Sequence, residues 1–457
     1  MRLSSATADS LPANIARGDY DRAAQRRGIV HLGIGAFHRA HQAAFTDIAM
    51  SAGDRHWMIT GVSLRSAAVQ ALLTPQDGLF TVSERGEGGE QVRLVSSVAE
   101  VLVASEAPGE ITRALASPDT RIATLTVTEK GYCRAPDGTL DAAALADGIT
   151  IYHLLARAVI DRHDAGLAPL TLVSCDNVAE NGPMLRAGLA EYLDRLSPTH
   201  RRWFEAVWAC PSTMVDRIVP ATTADELAHV AGQIGMRDEG AVVTEPFAQW
   251  VIEDRFAGPR PCWEAAGAQL VGDVRPFEAA KLRMLNGAHS ALAYLGLERG
   301  HIFVHQAIND PQIRSTVEGL MRNEAAASLA PVGGQDIARY ADGLLMRFHN
   351  PSLRHRLAQI ATDGSQKIGP RWLEPIRLNR LARRSSPATL MALAAWIRHV
   401  RGDRSPVCDP LAGRLRRLWS EAGADGIVSA LFDQDGMFSR EAWQLQPVDR
   451  AALQRLL

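Results

Sequence analysis

The chain has 457 residues, 46% of them hydrophobic and 22% charged, with a formal net charge of −2. That is the make-up of a globular protein with core enough for two or three domains, and its balanced charge leaves no basic face for nucleic acid or an anionic membrane. No run of about 18 apolar residues is present to span a membrane, and the start, Met1-Arg-Leu-Ser-Ser-Ala-Thr, lacks the apolar core of a secretory signal, so a cytoplasmic location is expected.

Gly28 to Gly33 reads as a buried strand, Ile29-Val30-His31-Leu32, running into a glycine turn. A helical pattern follows from about Ala36 to Ser51. Trp57 to Leu64 reads as the next strand, Ala67 to Leu73 as a helix, and Leu79 to Glu84 as a further strand. Arg121 to Thr128 is a β-branched run, Ala142 to Asp164 has apolar residues at helical spacing, and Leu170 to Cys175 is a short apolar strand before a helix from about Met184. Such alternation predicts an α/β fold with a parallel sheet covered by helices. At Gly272-Asp-Val-Arg-Pro276 the pattern breaks, and helical segments then dominate, as in Ser386 to His399 and Pro410 to Ala422. Ser386 is placed to cap the first of these helices, with Pro387 at its first position. A domain boundary is expected there, giving residues 1–275 and 276–457.

The turn Gly33-Ile-Gly35-Ala36-Phe37-His38 joins a strand to a helix, the context of a dinucleotide fingerprint. Two glycines permit a tight turn and close approach of a pyrophosphate, and the helix start supplies N–H donors. Gly33, Gly35, Ala36 and Phe37 are therefore the candidate cofactor-binding positions. The third glycine position is His38, and the acidic residue expected after the second strand is replaced by Gly61-Val-Ser63-Leu-Arg65-Ser66. Ser63 or Ser66 can bond a ribose hydroxyl, and Arg65 can lie over adenine or meet a 2′-phosphate, so NADP is admitted beside NAD.

Polar groups also follow the later strands: Thr126-Val-Thr128-Glu129-Lys130-Gly131, Asp176-Asn177, and the pair Asp216-Arg217. Carboxyl ends of parallel strands are where ligands bind, although Asp-Asn after a strand is also an ordinary helix cap. His38 and His41 have no carboxylate or third histidine at ligand spacing. The five cysteines, Cys133, Cys175, Cys210, Cys262 and Cys408, form no C-x-x-C pair. No metal and no disulfide framework are expected.

In Lys281-Leu-Arg-Met-Leu-Asn286-Gly-Ala-His289, an amine, an amide and an imidazole fall within nine residues of apolar sequence. On an α-helix, at about 100° per residue, Asn286 lies roughly 140° and His289 roughly 80° round from Lys281. Leu282 and Leu285 share that arc, which predicts a buried helix carrying polar groups that look into one cavity. A lysine in apolar surroundings can trade a proton near neutral pH. The plainer alternative is a helix start whose lysine reaches water while Asn286 and His289 make structural bonds.

Taken together these segments resemble the mannitol dehydrogenase family of long-chain polyol and sugar-acid dehydrogenases. The motifs, in order, are HLGIGAFHRAHQ, TLTVTEKGYC, SCDNVAENG, TMVDRIVP, TEPFAQWVIED, KLRMLNGAHSALAYLG, RFHNPSLRHR and DGSQK, from about Ile29 to Pro370, with a weaker helical tail. The resemblance implies an N-terminal Rossmann-type domain, a mainly α-helical C-terminal domain, and metal-independent hydride transfer with NAD at a site in the cleft between them. The family's K-x4-N-x2-H signature falls on Lys281, Asn286 and His289, and its strand-end asparagine on Asn177.

TEKGYC, TMVDRIVP, NPSLRHR and DGSQK are similar to the fructuronate reductase branch, whereas the mannitol 2-dehydrogenase branch tends to have Gly where Lys130 stands. The implied substrate is a small sugar acid, with a polyol as the alternative. Lys281 would then be the acid–base group, with Asn177, Asn286 and His289 around the substrate oxygen and Glu129 as a proton conduit. Lys130, Arg354 and Lys367 are the candidate partners of a substrate carboxylate. A non-catalytic nucleotide sensor fits poorly with the intact lysine–asparagine–histidine set. Oligomeric state is not readable, and the resemblance implies that a monomer is common.

Overall fold

The computed structural model describes residues 1–86, 88–135, 137–438 and 445–457. Its strands are β1 (Ile29–Leu32), β2 (Ile59–Ser63), β3 (Phe80–Gly86), β4 (Gly89–Val95), β5 (Val98–Val103), β6 (Ile122–Leu125), β7 (Thr171–Ser174), β8 (Thr213–Asp216), β9 (Val242–Thr244), β10 (Gln249–Glu253) and β11 (Gln269–Val271). The residues of β1, β6 and β7 are buried throughout. Short apolar runs without alternation are what a sheet covered on both faces requires.

The chain divides into two compact units, Met1–Val274 and Arg275–Leu457. In the first, five strands form a parallel sheet in the order β5-β2-β1-β6-β7. From β1 the chain builds outward to β2 and β5 on one side, then returns to place β6 and β7 on the other. The order thus reverses between β1 and β6, and the crevice outside the carboxyl ends of strands at such a point is where α/β sheets bind ligands. The same unit holds two three-stranded sheets, β11-β10-β8 and β4-β3-β9. The β3–β4 hairpin, paired from Phe80↔Val95 to Gly86↔Gly89, has no counterpart among the strands read from sequence beyond β3 itself.

Several expected helices are interrupted. The stretch from Ala36 to Ser51 breaks at His41 (φ −120°, ψ −94°) into Ala36–Ala40 and Gln42–Ser51. There His41 Nε2 reaches the Gln249 carbonyl at 3.0 Å and the ring packs against Phe37 and Phe45. Ala142 to Asp164 divides into Ala142–Ala146 and Ile151–Asp164 around Gly148 (φ +84°). The run after Arg121 is a strand only to Leu125, because Thr126 to Tyr132 turns away to form a loop.

The second unit is helical. The helix Gly287–Glu298 is buried on every side from Gly287 to Gly296, as expected of a helix apolar all round. Its small residues admit close neighbours: a Cβ on Gly296 would sit 2.6 Å from Leu357 and 2.9 Å from Ala307. The helix Pro387–His399 does start after Ser386, but the Ser386 side chain does not cap it. The buried Glu324 carboxylate does so, accepting from the backbone N–H of Ala388 and of Thr389, both at 2.8 Å, and from the Thr389 hydroxyl. Ser386 Oγ instead accepts from Asn379 Nδ2. The expected helix from Pro410 to Ala422 spans Ala412–Phe432, with a break at Gly423 (φ 62°, ψ −175°). No helix among the described residues is long and apolar enough to cross a membrane.

Candidate active site

The loops at the carboxyl ends of β1, β2, β6 and β7 carry the polar residues singled out in the first unit. After β1, Gly33 adopts φ +100°, and a Cβ there would lie 2.1 Å from the Thr126 carbonyl oxygen. Only glycine fits so close an approach. The N–H groups of Gly33 and Ile34 both donate to the Val62 carbonyl, which ties the turn to β2. Gly35 differs. Its φ is −115°, it precedes the helix at Ala36, and a Cβ would meet nothing nearer than the Gly33 oxygen at 3.8 Å. The fold therefore does not demand glycine at 35, whereas close approach of a pyrophosphate would. Ala36 and Phe37 are half-buried beside it.

His38, at the third glycine position, stacks on His31 of β1 with ring centroids 3.5 Å apart. The fingerprint's third glycine lets helix and strand pack closely; here a pair of buried rings fills the gap instead. Burial, with His31, Arg39 and His41 nearby, holds His38 well below the usual imidazole range, so it is neutral. After β2, the Ser63 hydroxyl donates to the Ser66 carbonyl at 2.5 Å, and Arg65 is exposed.

Asp176, at the end of β7, is neither a helix cap nor an exposed ligand. Its buried carboxylate accepts from the N–H of Val127 (2.9 Å), the N–H of Thr128 (2.8 Å) and the Tyr132 hydroxyl (2.7 Å). These bonds brace the loop after β6, where Thr128 takes the uncommon φ of +63°. Burial raises the Asp176 carboxyl, with the hydrogen bonds pulling the other way. The buried Asn181 joins the same scaffold, donating to the carbonyls of Asp176 and Thr213 and accepting from the Thr213 N–H. On this frame Glu129, Lys130 and Asn177 stand exposed. The Arg217 guanidinium reaches the Glu84 carboxylate and the carbonyls of Ala40 and Glu245, a structural role.

In the second unit, Lys281–Asn286 is one wide π-helical turn between the helices Arg275–Ala280 and Gly287–Glu298. The angles expected of an ideal α-helix therefore do not hold. Bonding from i to i+5 aligns residues five apart, so Asn286 follows Lys281 on one face. His289, three residues further along an α-helix, continues that face. Lys281, Leu282 and Asn286 are half-buried, which corrects the expectation that Leu282 is buried with Leu285.

His289 is buried, its ring 4.9 Å from Phe348 and 5.4 Å from His355, and its Nε2 has no hydrogen-bond partner among the described residues. Burial above all, with His355, Arg347, Arg371 and Lys281 nearby, holds it well below the ordinary imidazole range. Of the other cations singled out, Arg354 is exposed, and Lys367 is half-buried with Nζ donating to the Thr362 carbonyl at 2.6 Å. Burial, then Arg371, lowers the Lys367 amine.

Sequence reasoning missed Arg371. It belongs to another π turn, Gly369–Leu373, and a third covers Leu320–Ala325; both pack against Lys281–Asn286. The Arg371 guanidinium donates to the Asn286 carbonyl (3.3 Å) and to Ser290 Oγ (2.7 Å), and Trp372 Nε1 donates to the Gly287 carbonyl (3.2 Å). A wide turn misaligns backbone acceptors, and these side chains satisfy them. Burial lowers Arg371 to about 10. Arg371→Met is expected to destabilise the protein by about 1.5–3 kcal/mol, the usual range for charge-assisted bonds. Chemical unfolding followed by tryptophan fluorescence measures this, and an unchanged midpoint would deny the guanidinium a bracing role.

The chain matches two family profiles, the mannitol dehydrogenase Rossmann domain over residues 27–265 and the mannitol dehydrogenase C-terminal domain over residues 273–450. It is 39% identical to the D-mannonate oxidoreductase of Escherichia coli over 93% of this chain and 91% of that protein. It is 36% identical to the mannitol 2-dehydrogenase of Pyrenophora tritici-repentis, over 95% of this chain and 81% of that one. Among solved structures it is similar to Pseudomonas fluorescens mannitol 2-dehydrogenase in its ternary complex with NAD and D-mannitol, with a TM-score of 0.83 and 34% identity over 100% of this chain and 96% of that one. With a Rossmann-type parallel sheet, a helical second unit and both family profiles along its length, the chain belongs to the mannitol dehydrogenase family.

Proposed function

We propose that this protein is an NAD(H)-dependent oxidoreductase that interconverts a keto sugar acid and its hydroxy form, D-fructuronate and D-mannonate. The observation that carries the oxidoreductase reading is the placement of Lys281 and Asn286 at the two ends of one π turn, with His289 in the helix that follows. The sugar-acid reading rests on the D-mannonate oxidoreductase relative and on Lys130, exposed in the loop that follows β6.

The Gly33–Gly35 turn suits a dinucleotide, since it lies where the strand order reverses and leaves room at Gly35. NAD, when bound, supplies or accepts the hydride. Reduction of a ketone leaves negative charge on its oxygen, which must be stabilised and protonated. In this reading Lys281 Nζ gives that proton, and takes it back in alcohol oxidation. The amides of Asn177 and Asn286 donate to the developing alkoxide. His289, kept neutral by burial, orients the substrate oxygen or the lysine. Glu129 relays protons to water. Ser63 and Arg65 meet the adenosine end of the coenzyme, and comparing kcat/KM for NADH and NADPH decides between the two.

A uronate also needs a cation. Lys130 and Arg354 are exposed and available, whereas Lys367 is already held by Thr362. We assign the carboxylate to Lys130. A charge-assisted bond there is worth about 1.5–3 kcal/mol, roughly ten- to a hundredfold in affinity. Lys130→Gly should therefore weaken fructuronate reduction by that factor and spare any activity on fructose. Equal effects on both substrates would remove Lys130 from the carboxylate site. The second reading, a polyol dehydrogenase, is supported by the mannitol 2-dehydrogenase relatives. Following NADH oxidation with fructuronate, tagaturonate and fructose side by side separates the two. Preference for fructose would overturn the sugar-acid reading and leave the dehydrogenase reading in place.

A further inference from the structure

A second constellation lies in the first unit, at the other end of its sheet. The helix Ile151–Asp164 ends before β7 begins, so its last residues sit by the amino ends of the strands, away from the loops that carry Asn177 and Glu129. There His163 Nδ1 and His200 Nε2 converge on one oxygen of Asp164, each at 3.1 Å. All three candidate ligand atoms lie within 4.8 Å of one another. His163 and Asp164 close one helix, and His200 stands in the first turn of another, Pro198–Val207. Residues 36 positions apart in the chain therefore meet, a spacing that motif reading passes over.

From this geometry we infer that His163, Asp164 and His200 form a surface site for a divalent transition-metal ion of the zinc or nickel type. Ligands bound at about 2.0–2.1 Å in a tetrahedron stand roughly 3.3 Å from one another, so the two 3.1 Å separations need little adjustment. The other ring nitrogen of His200 is already held, with Nδ1 2.7 Å from Ser197 Oγ. Such a contact fixes the ring's orientation, and with Nδ1 as the donor to Ser197 it would free Nε2 to ligate, the usual arrangement around a ligating histidine. Trp203 packs edge-on against His163, with centroids 5.3 Å apart, and walls one side.

Asp164 has the two histidines as partners and also faces the end of its own helix. It is the last residue of its helix, where the exposed carbonyl groups disfavour a carboxylate. A bound ion would offset that repulsion and join two helices that otherwise meet through side chains alone. Solvent would complete the coordination, since the Asp164 side chain is 62% exposed. An imidazole–carboxylate–imidazole set suits zinc or nickel better than magnesium or calcium, which prefer oxygen donors. Its place at the amino end of the sheet gives the ion a structural effect and no part in hydride transfer.

The test is calorimetric titration of the full chain, stripped of metal, with zinc chloride. A Cys262→Ser, Cys408→Ser background is used, because both thiols are exposed and would compete for zinc. The parent should take up one ion per chain with a rise in Tm. Asp164→Asn, at an exposed position, and His200→Gln should each weaken binding by at least about tenfold. Both should leave the oxidoreductase activity unchanged, and neither should show the parent's zinc-induced rise in Tm. No uptake by the parent, or uptake by both variants with the parent's affinity, would overturn the site.

Discussion

Replacing Lys281 with alanine is expected to lower kcat by about two to four orders of magnitude, the usual contribution of a positioned acid–base group. NADH binding should change little, because the nucleotide is assigned to the Gly33–Gly35 turn and the lysine to the substrate oxygen. The size of the effect follows from what remains. His289 is held neutral by burial and by the cations around it, so it is a poor proton donor at neutral pH. Arg371 is spent on the Asn286 carbonyl and Ser290. Neither can replace the lysine. Single-turnover reduction under saturating NADH isolates the chemical step. Near-normal turnover in Lys281→Ala would assign the proton to another group, and Glu129 would be examined next.

The second large effect concerns two glycines two residues apart, whose replacements should fail in different ways. In Gly35→Val the fold should survive, because φ is −115° and nothing stands within 3.8 Å of the new Cβ. The valine instead occupies the space above the turn, and NADH affinity should fall by at least about a hundredfold, or some 2.7 kcal/mol. In Gly33→Val the Cβ would drive into the Thr126 carbonyl from a left-handed backbone, and folding itself should suffer. Fluorescence titration with NADH, paired with a thermal melt, reads both outcomes. Unaltered NADH binding in a folded Gly35→Val protein would place the nucleotide elsewhere.

The α/β sheet was legible because β1, β6 and β7 are short, β-branched or aliphatic and buried on both faces, so little else competes for those residues. Interruptions were less so. The break at His41 follows from a bond to the Gln249 carbonyl, more than two hundred residues away. The cap of Pro387–His399 comes from Glu324 on another helix, although Ser386 stands at the position a local rule would choose. Asp176 looked like a cap by its neighbours in sequence, yet its partners are Val127, Thr128 and Tyr132 on another loop. In each case a long-range partner outweighed a correct local preference. The grouping of Lys281, Asn286 and His289 was visible as composition, but its geometry was not, since no local propensity distinguishes a π turn from an α turn.

That wide turn changes what kind of information the segment stores. On an ordinary helix, spacings of five and three spread the three side chains over an arc of about 140°; the wide turn draws them closer to one line. The reactive group is thus written as a phase, and phase depends on the number of residues more than on their identity. Exchanging Leu282 or Arg283 for another side chain leaves the count intact. Were the turn to take the α form with its count unchanged, Lys281 and His289, eight residues apart, would stand about 80° round from one another, with every reactive side chain still present in the chain.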